Sequence, residues 1–156
     1  MSAAERLAEL GLTLPAVPSP AAAYQPWSRV GDLVYTSGQL PVVDGSLSRT
    51  GRLGAELTTD EGADLARIAG LNVLAAAAAG AGDLDRVRVV RLGVFVACTP
   101  EFTEQHLVAN GASTLIGDVL GDHGIHARAA VGVAALPLGS PVEVEAIIEV
   151  LDRSSE

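Results

Sequence analysis

HARAAVGVAALPLGSPVEVEAI, residues 126–147, sets one arginine in an apolar run and brings two glutamates in behind a Leu-Pro turn. Its second half, continued as VEVEAIIEV, repeats every second residue. Val142, Val144, Ala146, Ile148 and Val150 fall on one face, with Glu143, Glu145, Ile147 and Glu149 on the other, as in a strand with one buried side. The first half, from Arg128 onward, also reads as strand, with a turn over Leu136 to Pro141. A simple hairpin centred on Leu138 and Gly139 would oppose Arg128 to Glu149 and Glu143 to Ala134. Such a register keeps Arg128 and Glu143 apart, so a site using both needs another topology or a subunit interface.

Upstream, Val87 to Val96 mixes β-branched residues with arginines and reads as a strand leading to Thr99. Thr99 and Pro100 resemble an N-cap and N1 pair, which predicts a helix from there to about Leu120, stopped by Gly121 to Gly124. Thr58 and Glu61 match a capping box, and Leu65, Ile68, Leu71 and Leu74 then recur at helical spacing up to Gly80 or Gly82. Gly31 to Val43 opens as a strand, LVYTSG, and continues as QLPVVDG with a turn at Asp44 and Gly45. PAVPSPAAAYQPW should run extended or turned and deliver Tyr24 and Trp27. Ala3, Leu7 and Leu10 mark a short helix ending at Gly11, within an N-terminal extension of residues 1–17. This order of elements predicts an α+β fold, two helices on one face of a sheet, in a single domain spanning 1–156.

Composition bounds the chemistry. The chain is 49% hydrophobic but only 3% aromatic, so its core must be built from Ala, Val, Leu and Ile, which allow close approach of elements. A formal net charge of -9 argues against nucleic acid as a partner, since phosphate neutralisation needs clustered basic side chains. An anionic ligand would need a local positive device. The single cysteine, Cys98, excludes an intrachain disulfide framework and reads as a small buried residue in a reducing, cytoplasmic setting. The N-terminal stretch lacks the pattern of a targeting signal, and the Ala-rich run near residue 75 is broken by Gly and Asp, so no membrane segment is expected.

Several side chains are candidates for chemistry. Arg128 stands among side chains too small to hide a guanidinium; it either pairs with a strand glutamate or grips a carboxylate or phosphate with its planar fork. Glu143 is either part of a solvated strand face or a general base. Ser37 lacks a nucleophile elbow, and at its strand end Gly38 exposes backbone N–H groups. Tyr24 is plain packing or a hydroxyl bordering a pocket. His106, His123 and His126 lack a compelling metal-ligand spacing and read as surface residues, the last two on a turn.

Three separate stretches, AAYQPWSRVGDLVYTSGQLPV, LGVFVACTPEFTE and HARAAVGVAALPLGSPVEVEAI, together resemble the reactive-intermediate deaminase family, RidA, also called YjgF or L-PSP. The resemblance covers roughly residues 18–151 and is carried by the TSGQ strand end and the Arg, Leu-Pro, Glu-x-Glu ending in that order. It implies a chorismate-mutase-like α+β fold with a mixed sheet, assembled as a homotrimer with ligand clefts between subunits. It implies hydrolysis of 2-imino acids and their enamine tautomers to 2-oxo acids and ammonia, with no metal or organic cofactor. By position, Arg128 would bind the substrate carboxylate and Glu143 would activate the attacking water. The backbone around Ser37 and Gly38 would help hold the substrate, Tyr24 would border the imine, and Asn110 matches the family's asparagine on the second helix. Ala130 replaces a common cysteine, where a backbone carbonyl role survives the change, while Ser113 and Ile116 replace expected aromatics. These departures motivate a rival reading, a binder of small carboxylates without turnover, while activities ascribed to some members of the family leave a third, an endoribonuclease-type translation inhibitor.

Overall fold

In a computed structural model the described residues are 1–17 and 23–153. Three helices, α1 (Ala3–Glu9), α2 (Thr59–Ala81) and α3 (Gln105–Leu120), accompany a five-stranded mixed sheet. Its strands are β1 (Trp27–Val30), β2 (Leu33–Thr36), β5 (Val87–Ala97), β6 (Ala127–Val133) and β7 (Val142–Val150), in the spatial order β1-β2-β7-β5-β6. A separate small hairpin, β3 (Val42–Val43) and β4 (Ser46–Leu47), turns at Asp44 and Gly45, both with positive φ, as the Asp-Gly pair predicts. The α+β expectation holds, with α2 and α3 on the face that the even-numbered residues of β7 bury.

The predicted Arg128-to-Glu149 hairpin does not form. β6 pairs parallel with β5, and β7 pairs antiparallel with the other edge of β5, so the two strands of the opening stretch are separated by a third. The parallel pair β5–β6 is joined through α3, because parallel strands need a crossover rather than a tight turn. Between β6 and β7 the chain passes through a short 3-10 turn at Pro137–Gly139, in which Leu138 takes φ 61.

The α2 expectation holds at both ends. Thr58 and Glu61 form the reciprocal capping box, and Gly82 closes the helix in the left-handed region with φ 85. By length and composition α2 would also qualify as a membrane span, but 56% of its most apolar window is buried inside the fold, as in a core helix. α3 starts later than Thr99 predicts. Thr99 N–H donates to the Leu53 carbonyl and Leu53 N–H donates to the Ala97 carbonyl, so a loop segment pairs with the end of β5 and holds Thr99 outside the helix. Glu104 becomes the N-cap without a capping side-chain bond, its carboxylate accepting instead from the Thr59 hydroxyl at 2.8 Å.

The N-terminal extension is docked on the domain. Ala3 and Leu7 are buried in the main core, the Ala3 N–H donates to Asp85 Oδ1 at 2.6 Å, and Arg6 Nη1 donates to the Val119 carbonyl at 3.4 Å. Small residues bring α2 and α3 together. A methyl group on Gly111 would sit 2.7 Å from the Ala63 carbonyl carbon, backbone that cannot step aside, whereas one on Gly117 would meet nothing within 4 Å. Gly111→Ala is expected to destabilise the fold by about 1–3 kcal/mol in chemical denaturation, as overpacking does. Gly117→Ala should instead stabilise it by about 0.5–1 kcal/mol through helix propensity.

Candidate active site

Side chains alternate across a strand, so laterally paired residues share a face. Arg128 pairs with Leu92 of β5, which pairs with Ala146 of β7, and both of these are buried beneath the helices. Arg128 therefore stands on the helical face, at the edge where β6 meets α3. Glu143 pairs with Phe95, which pairs with Val131, and this row lies on the opposite, open face. The two candidate catalytic residues are two strands and three residues apart, about 14 Å between backbones by sheet spacings, and point to opposite sides.

Arg128 makes no ion pair with a carboxylate of the described residues. The strand-glutamate partnership falls instead to Arg88, whose Nη1 lies 2.8 Å from Glu149 Oε2. Arg128 is held by α3. Its Nη1 donates to Asn110 Oδ1 at 2.9 Å and to Ser113 Oγ at 3.1 Å, and its Nη2 donates to the His106 carbonyl at 3.3 Å. His106, Asn110 and Ser113 are spaced by four and three residues, which stacks them on one helix face. Of the five donors of a guanidinium, the two left over are one hydrogen on Nη2 and the one on Nε. The Nε–Nη2 side of a guanidinium is an edge that can receive two oxygens of a carboxylate. Ala130 lies two residues along β6 on the same face, on a strand whose outer edge has no partner in the sheet.

The second cluster forms around Glu143. A methyl group on Gly38 would lie 2.7 Å from Glu143 Cδ, so the carboxylate rests where only glycine leaves room. Gly93 plays the same part beneath Glu145, whose Cγ would stand 3.1 Å from an added methyl. Glu143 is half-buried and has no hydrogen-bond or ion-pair partner among the described residues. Burial pushes its carboxyl above the ordinary value of 4.5, and neighbouring Glu145 pushes the same way.

Ser37 ties this cluster to the preceding segment. Its hydroxyl donates to the Gln25 carbonyl at 2.5 Å and its N–H to the Pro26 carbonyl at 2.8 Å, which positions the neighbouring Tyr24, itself 59% exposed. The structure thus brings Asn110 and Ala130 to Arg128, and Gly38 and Ser37 to Glu143, but does not join the two groups within one chain. Cys98 is buried, as expected. No cluster of three or more potential metal ligands occurs among the described residues.

Two residues outside the predicted site stand behind Arg128. His126 is half-buried rather than a surface turn residue; its Nε2 lies 2.9 Å from Ser113 Oγ and its Nδ1 lies 2.6 Å from the Gly124 carbonyl. The available signal was positional. His126 and Arg128 are two apart entering a strand, and Ser113 sits one turn beyond Asn110.

Residues 4–150 match the family described as "YjgF/chorismate mutase-like, putative endoribonuclease". The chain belongs to the RidA/YjgF family. It is 51% identical to protein TCP17 of Trypanosoma cruzi over 148 residues, covering 94% of this chain and 92% of that one. The crystal structure of a protein of unknown function from Agrobacterium tumefaciens superimposes with TM-score 0.88 at 47% identity, over 95% of this chain and 92% of the other. Escherichia coli TdcF with bound serine, at 26% identity, matches with TM-score 0.62 over 90% of this chain and 96% of its own. The chorismate-mutase-like fold of the RidA/YjgF family is therefore the fold of this chain.

A glutamate with a raised pKa in the folded state binds its proton more tightly there. The stability it contributes is present below the unfolded value and lost as pH rises through the raised one. Glu143→Gln is accordingly expected to raise the unfolding midpoint at neutral pH, the gain fading as pH falls through the raised value towards 4.5. Gly38→Ala should keep the fold, since its contact is with a flexible side chain, but should displace that carboxylate. Chemical denaturation across pH would read the first effect, and carbon-detected NMR titration of Glu143 the second.

Proposed function

We propose that this RidA/YjgF chain is a cofactor-independent deaminase that hydrolyses 2-imino acids and their enamine tautomers to 2-oxo acids and ammonia. The observation that carries the reading is Arg128: a guanidinium with no carboxylate partner among the described residues, fixed to α3 by three hydrogen bonds and keeping Nε and one Nη2 hydrogen uncommitted among them. An acidic protein that fixes one arginine in this way has a device for a small carboxylate. The serine bound to Escherichia coli TdcF is a 2-amino acid, with a carboxylate in the same place as that of a 2-imino acid.

With the carboxylate on Arg128, the electrophilic carbon of the protonated imine is presented for attack. Glu143 takes a proton from water as the oxygen bonds to that carbon, giving a 2-amino-2-hydroxy acid. It returns the proton to the nitrogen, the C–N bond breaks as the hydroxyl oxygen forms the carbonyl, and the hydroxyl proton leaves with ammonia as ammonium. A carboxyl whose pKa burial has raised suits both halves of this exchange. Gly38 N–H, Tyr24 and the backbone of Ala130 border the substrate. Arg128 and Glu143 face opposite sides of one sheet, so the reading requires their approach from two copies in a homotrimer. The open face offers apolar surface for that contact: Val30, Leu33, Tyr35 and Val131 are exposed on it. The net charge of -9 disfavours the RNA-cleaving reading that the family description carries.

The test generates 2-iminopropanoate in situ and follows its loss by semicarbazide trapping, with acceleration expected from the wild type. Arg128→Ala should lower kcat/KM about 10–100-fold, the worth of a charged bidentate contact. Glu143→Gln should lower kcat about 10²–10⁴-fold. Mixing the two impaired variants should restore about a quarter of the wild-type rate, since each trimer that contains both regains one intact interface. Absence of turnover with tight, Arg128-dependent binding of 2-oxo acids would identify a carboxylate-binding protein instead.

A further inference from the structure

Behind the carboxylate fork runs a second line of polar groups. Arg128 Nη1 donates to Ser113 Oγ at 3.1 Å, Ser113 Oγ lies 2.9 Å from His126 Nε2, and His126 Nδ1 lies 2.6 Å from the Gly124 carbonyl oxygen. The direction of each bond follows from what its ends can do. A carbonyl oxygen only accepts, so His126 Nδ1 carries the proton. In the neutral ring Nε2 then accepts, and only the Ser113 hydroxyl can supply the hydrogen. Having given its hydrogen to His126, Ser113 offers its lone pairs to Arg128. The four groups form one chain in which every donor points away from the guanidinium, and each bond polarises the next.

From this geometry we infer that Ser113 and His126 are positioning residues for the carboxylate clamp. The inference rests on the proposed reading of Arg128. Asn110 Oδ1 takes one proton of Nη1 and Ser113 takes the other, and together they fix the plane of the fork. That plane decides whether the Nε–Nη2 edge meets a carboxylate with both donors. His126 fixes the Ser113 hydroxyl rotor, which would otherwise turn among three staggered positions. Its own ring is anchored by Gly124, in the 3-10 turn that follows α3. The pair thus ties the start of β6 to α3 at the point where the clamp is built.

Steady-state turnover of 2-iminopropanoate and calorimetric titration with 2-oxobutanoate test this on the full chain. Ser113→Ala is expected to raise KM and the 2-oxobutanoate Kd about tenfold, the worth of one hydrogen bond to a charged group, with kcat changed less than about twofold. Ser113→Thr, which keeps the hydroxyl, should restore both. His126→Ala should match Ser113→Ala, and His126→Gln, which keeps an acceptor near Nε2, should recover most of the loss. In an Arg128→Lys background Ser113→Ala should add little, because the partner it positions is gone. Wild-type turnover or binding with an unchanged KM and Kd in Ser113→Ala, or an equal loss in both backgrounds, would overturn the inference and leave the deaminase reading standing. A wild type that neither turns over the imine nor binds the oxo acid removes both.

Discussion

β5 is the centre of this molecule, and the alternation of side chains along it constrains everything the chain can do. Leu92 and Phe95 are an odd number of residues apart, so they face opposite ways. Through the ladder they carry Arg128 to the helical side and Glu143 to the open side. No rotamer change in either side chain undoes this, because it is set by the backbone pairing of three strands. The sheet therefore builds two separate clusters, Arg128 held against α3 at its β6 edge and a shielded carboxyl beside Gly38.

Each cluster is made precise by a different kind of contact. The orientation of Arg128 depends on α3, whose His106 carbonyl, Asn110 and Ser113 hold three of its five donors. The position of α3 depends in turn on glycine, since Gly111 lets the helix lie against the Ala63 carbonyl of α2. The carboxyl depends on absent side chains. Gly38 leaves the space that Glu143 fills, and without a hydrogen-bond or ion-pair partner among the described residues its charge is costly enough to raise its pKa.

Much of the fold was legible because local patterns and tertiary packing agree. The two-residue period of β7, the Thr58–Glu61 box, the Asp44-Gly45 turn and the burial of Cys98 follow from side-chain chemistry acting over a few residues. Thr99 and Pro100 misled because the cap signal was outbid by strand-like pairing with Leu53, which lies 46 positions away in the chain and has no local signature at Thr99. His126 misled for a similar reason. A histidine beside glycines reads as a turn residue until Ser113 and the Gly124 carbonyl are seen to satisfy both ring nitrogens.

The sequence by itself determined the element types and the buried face of β7, because these rest on period and capping. It also carried the family resemblance, through the spacing of Arg128, Leu136, Pro137 and Glu143. Only the tertiary structure decided that β5 inserts between β6 and β7, that Arg128 is held by α3 rather than by a strand glutamate, and that Arg128 and Glu143 face apart. Strand order is a long-range choice: β6 can pair parallel with β5 only by crossing over through α3, and no short stretch encodes that crossover.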